Sequence, residues 1–111
     1  TERFEESLIL FERFLENYPD SPLSASVIIA KGNAYEGLGE TKKAARAYLN
    51  SFSLYGDSPV APEALTLLGN ALVNLGQIDA GCQTLAQVLM RFPDSDYSLE
   101  AEKMMSELQC P

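Results

Sequence analysis

The chain contains no histidine. That removes the side chain most often used as a general base near neutral pH, the Ser-His and Cys-His nucleophile pairs, and the commonest ligand of zinc and copper. Basic residues are scarce. Eight Lys and Arg stand against sixteen Asp and Glu, a formal charge of −8. So acidic a surface repels phosphate backbones and anionic headgroups, which disfavours nucleic-acid and peripheral membrane partners. No apolar run approaches the ~18 residues of a membrane span, so direct insertion is not expected. The two cysteines, Cys82 and Cys110, are too few for a disulfide-dense scaffold or a zinc site. They form either one bridge in an oxidising compartment or two unrelated thiols. Composition argues against an enzyme, and no cofactor is expected.

What is present suffices for one domain: 111 residues, 46% of them hydrophobic. The sequence starts at Thr1 with neither an initiator Met nor a leader pattern, and reads as a piece of a longer or processed protein.

One segment recurs three times. Tyr18-Pro19-Asp20-Ser21-Pro22 becomes Tyr55-Gly56-Asp57-Ser58-Pro59 and then Phe92-Pro93-Asp94-Ser95-Asp96, in steps of 37 residues. The same step maps Gly32-Asn33-Ala34 onto Gly69-Asn70-Ala71, and Leu38-Gly39 onto Leu75-Gly76. It also carries Phe11 to Tyr48 to Leu85, and Leu15 to Phe52 to Leu89. Glycines and core positions in one register mark a structural repeat.

Each unit reads as two helices. Apolar residues at helical spacing over 23–38 and 61–75 stop at a Gly placed for a left-handed cap, and second helices follow the short turns. Ser21, Ser58 and Ser95 have the chemistry of N-caps, with Pro22 and Pro59 at the first helical position. The spacing predicts an all-α solenoid of six helices, near 2–18, 22–38, 41–55, 60–75, 78–92 and 97–109, with no sheet. The single domain, 1–111, divides into the second helix of a truncated repeat (1–22), repeats at 23–59 and 60–96, and a terminal capping helix at 97–111.

Within a unit the pattern resembles the tetratricopeptide repeat (TPR). Gly32, Tyr35, Gly39, Ala44 and Tyr48 fall where that motif sets its small and aromatic packing residues, as do Gly69, Leu72, Gly76, Gly81 and Leu85. Pro19, Gly56 and Pro93 occupy its inter-repeat proline position. The usual repeat has about 34 residues, and the three added here lie at the Asp-Ser-Pro turn. The stretches Phe11-Glu-Arg-Phe-Leu-Glu-Asn-Tyr-Pro-Asp-Ser-Pro22, Ser58-Pro59-Val60-Ala61-Pro62-Glu63-Ala64-Leu65 and Cys82-Gln-Thr-Leu-Ala-Gln-Val88 are similar to the C-terminal domains of the CpoB (YbgF) family of cell-division coordinators in the Tol-Pal system. That resemblance implies a periplasmic protein carrying a signal peptide and an N-terminal trimeric coiled coil outside this sequence. It further implies that the TPR domain binds TolA and that the protein coordinates outer-membrane constriction with septal peptidoglycan synthesis by a bifunctional penicillin-binding protein. The alternative is a scaffold like the outer-membrane assembly lipoprotein BamD.

Taking Gly32 as the eighth motif position, the TPR resemblance points Ser26, Ile29, Asn33 and Glu36 into a concave groove. The register adds Glu63, Thr66, Asn70 and Val73, then Glu100, Lys103 and Glu107. Asn33 and Asn70 are the leading pair, because an amide both donates to and accepts from an extended peptide. The basic cluster needed to grip a peptide C-terminus is missing. Tyr35, Tyr48, Phe52, Tyr55 and Phe92 read as packing residues, and Lys31 as a snorkelling chain, since its counterpart is Leu68. Glu5-Glu6 and Glu100/Glu102 read as solvated faces. Asp94-x-Asp96-x-Ser98 lacks the Gly and distal Glu of a calcium loop.

Two features concern contacts. Phe4, Leu8, Phe11 and Leu15 stripe the first helix; beyond what the helix at 22–38 covers, this face is either bared by truncation or docks a second chain. Without the coiled coil the fragment is expected to be monomeric. Antiparallel neighbours bring the start of the helix at 78–92 beside the finish of the last helix, which places Cys82 and Cys110 within reach of a disulfide.

Overall fold

A computed structural model describes residues 2–111. Thr1, the first residue of the expected domain, lies outside the described residues. These form six helices and no strand: α1 (Glu2–Asn17), α2 (Ser24–Gly37), α3 (Thr41–Leu54), α4 (Ala61–Asn74), α5 (Ile78–Arg91) and α6 (Asp96–Leu108). Each helix packs on the next, and α4 also touches α6. The result is an all-α helical repeat of 42 × 29 × 18 Å, in which α2, α4 and α6 are first helices and α1, α3 and α5 second helices.

Two kinds of turn build the repeat. Inside each hairpin the chain reverses on a left-handed glycine, Gly39 at φ 76 and Gly76 at φ 85. The next N–H closes the helix end, with Glu40 donating to the Tyr35 carbonyl and Gln77 to the Leu72 carbonyl, both at 2.9 Å. A β-carbon at either glycine would meet nothing within 4 Å, so the requirement is conformational, not spatial.

Between repeats, the same hydrogen bonds recur three times. Ser21, Ser58 and Ser95 N–H groups donate to the carbonyls of Tyr18, Tyr55 and Phe92, and each serine carbonyl then accepts from the N–H three residues on. Each serine hydroxyl also accepts the N–H two residues on, at 3.1 Å in all three copies. The helix starts depart from expectation in two copies. α2 and α4 begin at Ser24 and Ala61, so Pro22 and Pro59 lie in a preceding turn and not at the first helical position. In these two copies the helical ladder starts only after the serine turn, at Val27 N–H to Leu23 and Ala64 N–H to Val60. In α6, where Asp96 replaces the proline, Ser95 is the N-cap itself.

The core lies where hairpins interlock. Tyr48, Leu85, Val88, Ala44, Ala64, Ala71 and Ala101 are almost wholly buried. First and second helices approach closely at Gly32 and Gly69: a methyl there would lie 2.5 Å from the Tyr48 ring and 2.8 Å from Leu85 Cδ2, respectively. Phe52 meets Phe92 edge-on at 6.3 Å across the repeats. Buried Ser51, which the register pairs with Val88, satisfies its hydroxyl by donating to the Ala25 carbonyl at 3.0 Å.

The two ends differ. On α1, Leu10 is 59% exposed whereas its counterpart Ala47 is 4% exposed, because no first helix covers that face among the described residues. The outer face of α6 carries Glu102, Ser106 and Gln109 where the repeat elsewhere buries apolar or small residues, the composition of a solenoid cap. Cys82 and Cys110 are joined as a disulfide with Cα atoms 5.7 Å apart. Lys31 is largely covered and sets its ammonium 2.7 Å from the Glu12 carboxylate of α1.

Candidate protein-binding face

The polar side chains of the first helices converge on one face, with Tyr48 as its hinge. The Tyr48 ring fills the space above Gly32, and its hydroxyl emerges to donate to Asn33 Oδ1 at 2.7 Å. Burial pushes the Tyr48 phenol well above its ordinary pKa, and the carboxylates of Glu36 and Glu63 push it further the same way. Those two glutamates come from α2 and α4, so carboxylates of both helices lie near enough to act on one hydroxyl.

Tyr97 extends the arrangement to α6. Its phenol is also raised, first by burial, then by the nearby carboxylates of Glu63, Glu100 and Asp96. Of the two hydroxyls, that of Tyr48 is the one with a defined acceptor, Asn33 Oδ1. The face that results joins α2, α4 and α6 through Asn33, Glu36, Glu63, Tyr97 and Glu100. It is rich in acceptors and has little positive charge of its own beyond Lys103.

The expected groove residues do not all take part. Ser26 and Asn33 are exposed, and Glu36, Glu63 and Asn70 half-buried, so each has atoms at the surface. Ile29 and Thr66 are corrections. Ile29 is 4% exposed and belongs to the core cluster, while Thr66 is 3% exposed with its hydroxyl donating to the Pro62 carbonyl at 2.8 Å. These two positions form the floor beneath the face and offer a ligand no free polar group. Val73 is half-buried because its Cγ2 occupies the space over Gly81 of α5, so it serves the hairpin as much as the surface. Glu100, Lys103 and Glu107 are exposed along α6.

Asn33 has half of its amide engaged. With Oδ1 accepting from Tyr48, its NH₂ group is what remains for a partner, whereas Asn70 has no such restraint. Sequence reasoning assigned Tyr48 to packing, which holds for the ring and misses the hydroxyl. Tyr97 escaped notice altogether. Its register counterparts are Val60 and Leu23, and a tyrosine replacing two aliphatic residues was the available signal.

Among the described residues, no group of three or more Cys, Asp or Glu side chains is placed to hold a metal ion, and no helix is long and apolar enough to cross a membrane. A tetratricopeptide-repeat family model matches residues 63–95. That span takes in α4 from Glu63 onward, all of α5 and the turn towards α6, most of the 37-residue unit at 60–96. No curated protein matches the chain. Repeats of this type are generally non-catalytic modules for protein–protein contact.

Proposed function

We propose that the chain is a non-enzymatic adaptor that holds an extended segment of another envelope protein along the face of α2, α4 and α6. The observation that carries this is that three first helices bring Asn33, Glu36, Glu63 and Glu100 to the surface, with the Tyr48 hydroxyl fixing Asn33 at 2.7 Å. Three aligned helices present hydrogen-bonding groups at successive depths, which suits an extended chain with regularly spaced donors. The disulfide supports residence in an oxidising compartment such as the periplasm, since reduced thiols are the rule in the cytosol. Together with the likeness of the Tyr-Pro-Asp-Ser-Pro and Ser-Pro-Val-Ala-Pro stretches to CpoB domains, this makes TolA the partner of choice. The role is to couple outer-membrane constriction to septal peptidoglycan synthesis by a bifunctional penicillin-binding protein.

The test is a calorimetric titration of TolA into the intact chain and into Asn33→Ala/Asn70→Ala. Removing about two hydrogen bonds, each contributing ~0.5–1.5 kcal/mol, lowers affinity by roughly one to two orders of magnitude. Equal affinity, with helicity unchanged in both, removes the face from the binding site.

A further inference from the structure

We infer that the Cys82–Cys110 bridge is a redox-operated latch on the C-terminal half of α6, closed as the disulfide and opened by a dithiol reductant. The helix is held unevenly. Its first half is fixed by tertiary structure, with Ser95 capping it, Ser98 buried and Ala101 at 0% exposure. Its second half has weaker support. Met104, Met105 and Leu108 pack against the core yet stay half-buried, and Glu102, Lys103 and Ser106 are exposed, with no helix over them among the described residues.

The helix then ends against its own backbone preference. Gln109 sits at φ 56, ψ 45, the sole non-glycine with a positive φ among the described residues, whereas α2 and α4 end on glycines in that conformation. A β-carbon disfavours the left-handed region, so something must hold Gln109 there. The following residue is the restraint. Cys110 is bonded to Cys82 near the start of α5, and its N–H donates to the Met105 carbonyl at 2.9 Å.

The bridge is within reach of a reductant. A cleft of ≈ 340 Å³, lined by Asp79, Cys82, Gln83, Ala86, Met105 and Pro111, opens beside it. A thiolate of the dithiol bonds to Sγ of Cys110, the less buried of the two residues, and the Sγ–Sγ bond breaks. Cys82 leaves as thiolate and takes up a proton. The second thiol of the reductant then displaces Cys110, which takes up the second proton, and the reductant ends as its own disulfide. Cys82 stays buried as a small apolar group. Gln109 relaxes, and residues 104–111 lose their tether. Lys103 and Glu107 lie on this half of the helix, so the open latch also weakens partner binding, a consequence that rests on the function proposed above.

Hydrogen exchange on the intact chain, without partner, tests the latch separately from that function. The oxidised chain is compared with the chain reduced by dithiothreitol, thiols being counted with Ellman's reagent. The expected result is exchange at Met105 and Cys110 faster by about tenfold or more after reduction, with Leu85 and Val88 changed less than twofold. Cys110→Ser should exchange like the reduced chain and ignore dithiothreitol, and reoxidation of the natural chain should restore protection. Unchanged exchange at Met105 overturns the proposal. So does an equal acceleration at Met105, Leu85 and Val88, because the bridge would then stabilise the whole fold without gating α6.

Discussion

Adding one methyl group to Gly69 should change sign in its effect depending on Leu85. In the natural chain that methyl would lie 2.8 Å from Leu85 Cδ2 and 2.9 Å from Cγ. Leu85 is wholly buried, so it has nowhere to retreat without disturbing its neighbours. Overpacking of this kind costs ~1–3 kcal/mol, while Gly→Ala inside a helix contributes about 1 kcal/mol through propensity. The net is a loss of about 1 kcal/mol, or roughly 4 °C in Tm for a domain of this size. Leu85→Ala alone should cost about 2–5 kcal/mol, since it empties the site. In that background Gly69→Ala meets open space, and it should stabilise by about 1 kcal/mol through propensity and partial filling. The double-mutant cycle therefore yields a coupling of about 2 kcal/mol, read from urea unfolding followed by circular dichroism. An effect of Gly69→Ala that is the same in both backgrounds, within ~0.5 kcal/mol, refutes close approach as the reason for this glycine.

Gly76→Ala should lose about 1 kcal/mol for a different reason, its φ of 85, and Gly76→Asn less, as ordinary thermal melts would reveal. Because the Tyr48 phenol is raised in the folded state, the stability it lends is whole below about pH 10 and falls as pH rises beyond that, when the unfolded chain ionises first. Urea midpoints between pH 8 and 11 should fall less in Tyr48→Phe, and a folded chain showing Tyr48 phenolate absorbance with a midpoint near 10 contradicts the reading. The chain should sediment as a monomer despite exposed Ile9 and Leu10. A dimer lost on Leu10→Ser would make α1 an interface.

The fold was largely legible because the repeat states each structural demand more than once. Gly39 and Gly76 fall 37 residues apart and both adopt the left-handed cap, and Gly32 and Gly69 each admit a large side chain of the following helix. The helix starts were not legible to the same degree. Ser21 and Ser95 make the same hydroxyl contact to the N–H two residues on, yet only Ser95 leads straight into a helix. A serine supplies the same acceptor to a turn as to a cap, so the residue type cannot distinguish them.

The candidate face was legible only as far as register implies depth. Asn33 and Glu63 sit at motif positions that do reach the surface, while Ile29 and Thr66, about one turn away on the same helices, are covered. Whether a side chain surfaces depends on how closely neighbouring hairpins stack, which is a property of the whole solenoid. The tyrosines make the point most directly. Each phenol belongs to two environments, a ring that packs and a hydroxyl that must find a polar partner. Periodicity sees the ring alone. What turns Tyr48 and Tyr97 into parts of the face is the glutamates near them, most from other helices: Glu36 and Glu63 at Tyr48, and Glu63 at Tyr97, beside Glu100 of its own α6. Glu63 serves both, so the polar face is assembled across repeats in the same way as the core, and a change at Glu63 should be felt at two tyrosines that lie 49 residues apart in sequence.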